Sequence, residues 1–297
     1  MSNMSFVQSI RQSQRQQQRL SIIVRWIIAV ILILFAVFPV LWIISAAFNP
    51  ADTLATQTLI PRNAGLDNFT ELFNSPVFPY WTWYWNSIKI ATISTLLSVS
   101  ITTLAAYAFS RFRFQGRVTM LKGLLLIQVF PGLLAIVAIF LMVSQIGDLI
   151  PRFGLDTHAG LILVYMGGAM GINIWLMKGF FDTIPREIDE SAMVDGATHW
   201  QTFTLLLLPL MRPVLIVIGI LSFIGTYGDF ILARVLLKST EQYTLMVGLQ
   251  IFTSGQFSQK WGQFTAGALL GALPIMLIYL VLQDQIVGGL TRGAVKG

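Results

Sequence analysis

"ESAMVDGATHWQTFTLLLLPLMRP" (residues 190–213) interrupts a chain that is otherwise strongly apolar. Acidic and small residues come first, then a glycine, then leucines that end at a proline. Read locally, the segment from 181 to 209 is helix, glycine turn, helix. Pro185 suits a first helical turn, where its missing N–H costs nothing. Glu187, Asp189 and Glu190 follow where the helix dipole favours negative charge. Gly196 offers a left-handed stop, and Thr198 with Gln201 has the spacing of a capping box. Ala192 and Gly196 lie four apart, so one face of the elbow is small enough for something to approach closely.

The rest of the chain says where this elbow lies. Of 297 residues, 55% are hydrophobic and only 11% are charged, with a mean hydropathy of +0.73. A soluble domain carries about 25% charged residues, so this composition cannot cover a water-exposed globule. The class is a polytopic membrane protein, all-α, because backbone amides in lipid must be satisfied within the segment. The net charge of +6 does not point to nucleic acid, since the basic residues gather at the ends of apolar runs. Cysteine is absent, and the two histidines, His158 and His199, stand in separate loops. Disulfides, thiolate metal sites and a histidine ligand pair are excluded.

Six spanning helices are predicted: 22–48, 87–110, 118–146, 159–180, 210–235 and 262–285. Each supplies the roughly 20 residues that a bilayer core requires. The first apolar run also exceeds the core of a signal peptide. Residues 1–21, rich in Gln, Ser and Arg, read as a polar mobile tail, residues 22–285 as the transmembrane body, and 286–297 as a second tail. With the N-terminus inside, thirteen Lys and Arg fall on inner segments and six on outer ones. That bias puts both termini in the cytoplasm of a bacterial cell, across its inner membrane, and the elbow with them. Pro131 and Pro274 are expected to kink the third and sixth helices. Gly167/Gly171 and Gly267/Gly271 are G-x-x-x-G pairs that let backbones approach. Trp81, Trp83 and Trp85 in "PYWTWYW" fit an interfacial aromatic belt better than a sugar-stacking platform.

An inner elbow can rest on lipid or on a protein. Interfacial helices are usually basic, because the inner leaflet is anionic. From Pro185 to Gly196 a single Arg186 faces Glu187, Asp189, Glu190 and Asp195. Such a helix is repelled by the membrane surface, so the charge favours a protein partner.

On these residues the chain resembles the permease subunits of ATP-binding-cassette (ABC) importers of the carbohydrate-uptake, MalG-like type, which serve maltose and maltooligosaccharides. Glu190, Ala192, Asp195, Gly196, Ala197, Leu208 and Pro209 stand in the pattern of the family's EAA loop, with Ser191 in place of the middle alanine. The segments 86–117, "YTLMVGLQ" (243–250) and "GLTRGAVKG" (289–297) are similar too, so the likeness covers nearly all of 22–297. The resemblance implies that the loop docks into one of two ATPase subunits. It also implies a second, different permease, an extracytoplasmic sugar-binding protein and a sugar cargo. The binding protein is expected to meet Phe252, Thr253, Ser254, Gly255 and Gln256. This chain is then a transporter subunit and not an enzyme. It has no G-x-x-x-x-G-K-[ST] phosphate loop, so no cofactor is expected in it, and ATP and Mg belong to the partner subunits.

Three polar residues within the spans are candidates for a substrate path. Asp229, near the outer end of the fifth helix, is either functional or an interfacial acid paired with Arg234. Gln128 and Asn173 lie deeper, where they line a sugar path or form interhelical hydrogen bonds, the commoner role. The alternative function is an ion-gradient-driven secondary transporter. That class calls for paired broken helices and carboxylates in corresponding halves, whereas Asp229 is a single acid.

Overall fold

The computed structural model describes residues 2–51, 57–255 and 259–294. It is helical throughout, with no strand among the described residues. The long helices are α1 (Ser2–Ala47), α3 (Tyr80–Arg111), α6 (His158–Thr183), α9 (Leu208–Tyr227) and α13 (Leu273–Ala294). Shorter ones are α2 (Asp67–Asn74), α4 (Arg117–Val129), α5 (Gly132–Leu149), α7 (Arg186–Val194), α8 (His199–Gln201), α10 (Ile231–Leu236), α11 (Leu245–Ile251) and α12 (Trp261–Gly271). Five segments are long and apolar enough to cross a membrane: Gln18–Ala47, Tyr80–Arg111, Gly132–Leu149, His199–Tyr227 and Trp261–Gln283. The sixth is the α6 segment, bent by 48° between Gly168 and Met170. With the bent segment counted as one span, up to six candidate spans result among the described residues; the third begins at Gly132 instead of 118, and the fifth ends at Tyr227 instead of 235.

Three expectations shift. The N-terminal segment expected as a mobile tail continues the first helix from Ser2. It contains neither Gly nor Pro before Pro39, and Gln and Arg are good helix formers, so nothing stops propagation from the apolar part. Pro131 does more than kink the third span. It separates α4 from α5, because Phe130 takes an extended conformation (ψ 129°), as a residue before proline prefers. Pro274 follows a break at Ala272 and occupies the first turn of α13, where its missing N–H is tolerated.

α3 is the axis of the bundle and packs against α6 and α9, while α1 meets α12 and α13 meets α9. The buried face of α3 is small and polar, running through Ser87, Ala91, Ser94, Ser98, Thr102, Ala106 and Ser110. Small residues let helices close up where lipid gives no hydrophobic drive between them. The outward faces are correspondingly apolar: Phe35 is 79% exposed and Val129 78%. The second G-x-x-x-G pair admits side chains and not a helix backbone: Leu249 lies against Gly267 and Leu245 against Gly271, and Tyr80 and Tyr227 donate hydroxyl bonds to the carbonyls of Gly267 (2.9 Å) and Gly271 (2.8 Å).

Two cores result. One, near the N-terminal end of α3, gathers Tyr80, Trp83, Tyr227, Leu245 and Phe252. The other, at the opposite end, gathers Tyr107, Met177, Phe181, Phe203 and Leu207. The aromatic stretch is thus the first turns of α3, not a loop. Trp81 and Trp85 are exposed, as a belt requires, but Trp83 is fully buried and donates its indole N–H to the Thr240 carbonyl (2.7 Å). Asn86 and Ser87 continue the clasp. Asn86 donates to the carbonyls of Glu241 and Tyr243, and Ser87 accepts from the Leu245 N–H. On the same side, Asp156 anchors the turn before α6 to the end of α10 by accepting from the N–H groups of Lys238 (2.8 Å) and Ser239 (2.9 Å).

Candidate functional site

The elbow forms as the sequence dictates. α7 opens after Pro185 with Glu187 and Asp189 in its first turn. It stops at Gly196, which has φ +83°. The Gly196 N–H donates to Met193 O (3.0 Å) and the Ala197 N–H to Ala192 O (2.9 Å), the two bonds of a Schellman cap. Thr198 and Gln201 then form the full capping box of α8. The chain passes through a π-helical segment, Thr202–Leu207, into α9. Local π-helix frequently marks functional sites.

What holds the elbow is a cation that, in the sequence alone, serves only as a topology signal. Arg111, in the last turn of α3, donates from Nε to Asp189 Oδ1 (3.2 Å), and its Nη2 lies 3.0 Å from Asp189 Oδ2. The same guanidinium donates to the carbonyls of Phe181 and Ile184 (3.0 Å each), where α6 ends. Both side chains are buried, at 7% and 8% exposure. One planar fork therefore joins the ends of three helices: two helix-terminal carbonyls of α6, the acid in the first turn of α7, and its own α3. Arg suits this because its donors are fixed in a rigid fan and its charge is permanent. Ser110 adds a bond to Asp182 (2.6 Å), and Arg186 reaches back to the Ser110 carbonyl (3.1 Å). Tyr107 completes the seat by donating to the His199 carbonyl (3.2 Å).

The expected coupling residues divide between two faces. Ala192 is 6% exposed and turns inward, so its small size serves packing within this chain rather than close approach by a neighbour. Ala197 and Leu208 are half-buried. Glu190, Ser191, Asp195, Gly196 and Pro209 face outward, joined by Met193 and Val194, the latter 88% exposed. The open surface is thus an apolar tip ringed by carboxylates. A side chain added at Gly196 meets nothing within 4 Å.

Two clefts, both open to the outside, lie along the bundle. The larger, about 1210 Å³, opens between α4, α5, α6 and α10 and is mostly apolar, with Gln128 and Asp229 among its lining groups. Gln128 rests on Gly171, where any side chain would collide with it. A side chain added at Gly167 meets nothing within 4 Å, so the first G-x-x-x-G pair seats one side chain and not the backbone of a neighbouring helix. The smaller cavity, about 340 Å³, lies among α3, α6 and α9 and is lined by Ser94, Ser98, Asn173, Ser222, Thr226 and Asp229. The structure thus brings all three path candidates to adjoining cavities, with Asp229 common to both. Asp229 is not paired with Arg234. Its Oδ1 accepts from the Tyr165 hydroxyl (2.8 Å) and the Ala233 N–H (3.1 Å), while Arg234 donates to the Tyr243 hydroxyl. Asn173 sits 3.5 Å from the Ser222 hydroxyl.

The segment expected to meet a binding protein is less open than its sequence implies. Phe252 is 2% exposed and packs edge-on against Phe78 at 4.9 Å, so it anchors the turn instead of presenting it. Thr253 and Gly255 are half-buried, Ser254 is exposed, and Gln256 lies outside the described residues. Among the described residues no group of His, Cys, Asp and Glu is placed to hold a metal ion.

Comparison with known proteins agrees with this architecture. The family model described as "Binding-protein-dependent transport system inner membrane component" matches residues 18–291. The chain is 44% identical over 272 residues to the maltose/maltodextrin transport system permease protein MalG of Vibrio vulnificus, covering 88% of this chain and 91% of that one. It is 38% identical over 295 residues to MalG of Escherichia coli K12, covering 96% and 99%. Among solved structures, a chain of a bacterial ABC transporter that imports the acidic polysaccharide alginate shares the fold. Its TM-score is 0.77 at 23% identity, over 90% of this chain and 97% of that one. A second alginate transporter structure, in complex with a pentasaccharide-bound periplasmic protein, matches with TM-score 0.63 at 19% identity, covering 90% and 93%.

Proposed function

The chain belongs to the family of binding-protein-dependent transport system inner membrane components, and from that premise we propose that it is a permease subunit of an ATP-driven importer of maltose or related glucans. It is a transporter subunit and not an enzyme, as its relatives are. The observation that carries the coupling role is the elbow itself. It is fastened by Arg111 to the ends of α3 and α6 and leaves an acidic, apolar-tipped surface open. A force applied at Val194 and its neighbours passes into α3 and α6 through a guanidinium fork with little slack.

The proposed cycle follows. Two ATPase subunits, which carry ATP and Mg, close on binding ATP and carry the docked elbow with them. The bundle rocks about its buried α3 axis, opening the cavities near Asn173 and Asp229 to the other side. An external sugar-binding protein, docked at the turn around Ser254, releases its sugar to the path formed with a second, different permease. Hydrolysis resets the elbow. Both termini lie in the cytoplasm, on the elbow side, which is the side richer in Lys and Arg.

The test is sugar uptake by proteoliposomes holding this chain, its partner permease and the ATPases, with binding protein outside. Radiolabelled maltose is expected to accumulate only with internal ATP. Accumulation driven by a proton gradient with ATP absent would establish the secondary-transporter reading instead.

A further inference from the structure

We infer that the loop between α3 and α4, residues 112–116, together with the first turns of α4, is a binding surface for anionic phospholipid headgroups of the inner leaflet. The inference rests on the importer reading for the side of the membrane on which this loop lies. It goes beyond that reading, because it concerns what the chain touches besides its protein partners and its cargo.

The position follows from two contacts. Arg111 grips the carbonyls of Phe181 and Ile184 at the C-terminal end of α6, and Gln128 rests on Gly171, midway along that helix. α4 therefore runs beside the C-terminal half of α6, and the loop stands at the same end of the bundle as the elbow. Its charge is one-sided. Arg113, Arg117 and Lys122 fall in a stretch, 112–147, that holds no Asp or Glu. Among the described residues the ion pairs are Arg111 with Asp189 and Lys178 with Asp182. The acids at this end of α6 and α7 are thus matched, while these three cations have no acidic partner. The loop is nevertheless shaped: Gly116 takes φ +81°, and Arg117 donates to the Phe112 carbonyl (3.2 Å), which closes the turn. A guanidinium has five N–H donors, so Arg117 keeps others for a ligand. Arg113 and Lys122 are exposed.

Aromatic rings alternate with the cations. Phe112 and Phe114, on either side of Arg113, are 37% and 41% exposed, and no residue of α4 is buried. Basic groups interleaved with exposed apolar rings suit the boundary between headgroups and acyl chains. Lys122 lies five residues into α4, about 7.5 Å along it, and its long stem can return the ammonium to the headgroup level. The inner leaflet is anionic, and its attraction for Lys and Arg adds up over a cluster. A protein partner is the poorer occupant. The elbow is acidic, so the ATPase surface proposed to receive it is basic at its rim, and such a surface repels Arg113 and Arg117. The inner face of the chain is divided by charge, with acid toward protein and base toward lipid.

The experiment uses the complete complex in phosphatidylcholine proteoliposomes doped with a phosphatidylglycerol that carries a photoreactive group in its headgroup. Label is expected on peptides holding residues 112–122. Unlabelled phosphatidylglycerol is expected to compete for it, and inorganic phosphate or further phosphatidylcholine is not. The triple variant Arg113→Gln/Arg117→Gln/Lys122→Gln is expected to cut the label about tenfold or more, and Arg113→Lys/Arg117→Lys to keep it, since the headgroup reads charge. Should the triple variant not insert, the competition on the wild-type complex decides. Wild-type label confined to other segments, equal competition by phosphatidylcholine, or a triple variant labelled as wild type overturns the inference while ATP-driven uptake persists. The chain has no cysteine, so Gln115→Cys supplies a single thiol in the loop. Its reaction with an impermeant maleimide from the inner side alone is expected. Reaction from the outer side overturns the orientation, and the inference with it. A crosslink from that thiol to an ATPase subunit gives the surface to protein instead of lipid.

Discussion

The elbow and the cavity wall are built on opposite terms. At the elbow, Arg111 is saturated by two carbonyls and a carboxylate, and both helix ends beside Gly196 are capped. In the cavity wall, Ser94 and Ser98 are buried without partners among the described residues, and Asn173 meets Ser222 only at 3.5 Å. One region has its buried charges paired and its helix ends capped within the chain, with the Thr202 hydroxyl left over. The other leaves two buried hydroxyls unmatched. The two regions share α3.

The comparison breaks most completely at Arg111. Arg111→Ala leaves Asp189 buried without its cation, and removing one partner of a buried pair costs about 3–5 kcal/mol. The purified complex is expected to lose thermal stability and uptake together. Arg111→Lys keeps the charge but cannot reach both carbonyls and the carboxylate, so it is expected to stay assembled with uptake lowered at least fivefold, as measured in proteoliposomes.

Gly196 separates strain from docking. A non-glycine residue at φ +83° is strained by about 1–2 kcal/mol, and its side chain projects outward where the ATPase is proposed to seat. Gly196→Arg is expected to insert normally and abolish uptake. Gly196→Asn, whose side chain tolerates this conformation, is expected to retain most of it. Equal uptake by both variants would take the docking role away from this surface.

A smaller effect is expected in the middle of the bundle. Tyr165→Phe removes one of the two bonds to Asp229. An interhelical hydrogen bond in a membrane protein contributes about 0.6 kcal/mol on average. Stability is expected to change little, while maltose uptake shifts in its concentration dependence because the carboxylate is no longer oriented.

The smallest effect belongs to Asp156, in the turn that ties the start of α6 to the end of α10. Burial alone would raise its carboxyl, but the bonds from the Ser239 hydroxyl and from the N–H groups of Ser239 and Lys238 outweigh it and hold it below the usual range. A carboxyl lowered in the folded state contributes stability above its unfolded pKa, about 3.9, and loses it as pH falls through the folded value. Asp156→Asn is therefore expected to be slightly less stable than wild type at neutral pH. The gap should begin to narrow in thermal melts below about pH 4 and close once the pH is below the folded-state value.

Much of this molecule is legible in its sequence, and the misses have a common cause. The six spans, the glycine stop and the capping box depend on residues within a few positions of themselves. Gln201, for instance, meets Thr198 only three positions away. Phe252 and Trp83 read as surface because aromatic residues beside a membrane usually are, yet each fills the core between α3 and α11. Arg111 counts only toward topology in the sequence, though a basic residue in the last turn of a spanning helix is a signal that it can cap a neighbouring helix end.

Hydropathy and local capping by themselves determined that this chain is a helical membrane bundle with an acidic elbow between two spans, because both act along the chain. Which side chains the elbow grips, and which hydroxyls stay unpaired, was decided only by tertiary structure. Arg111 and Asp189 are 78 positions apart, and no periodicity brings such residues together. They meet because the small, polar face of α3 lets α6 close against it, and burial then makes the one available partner obligatory.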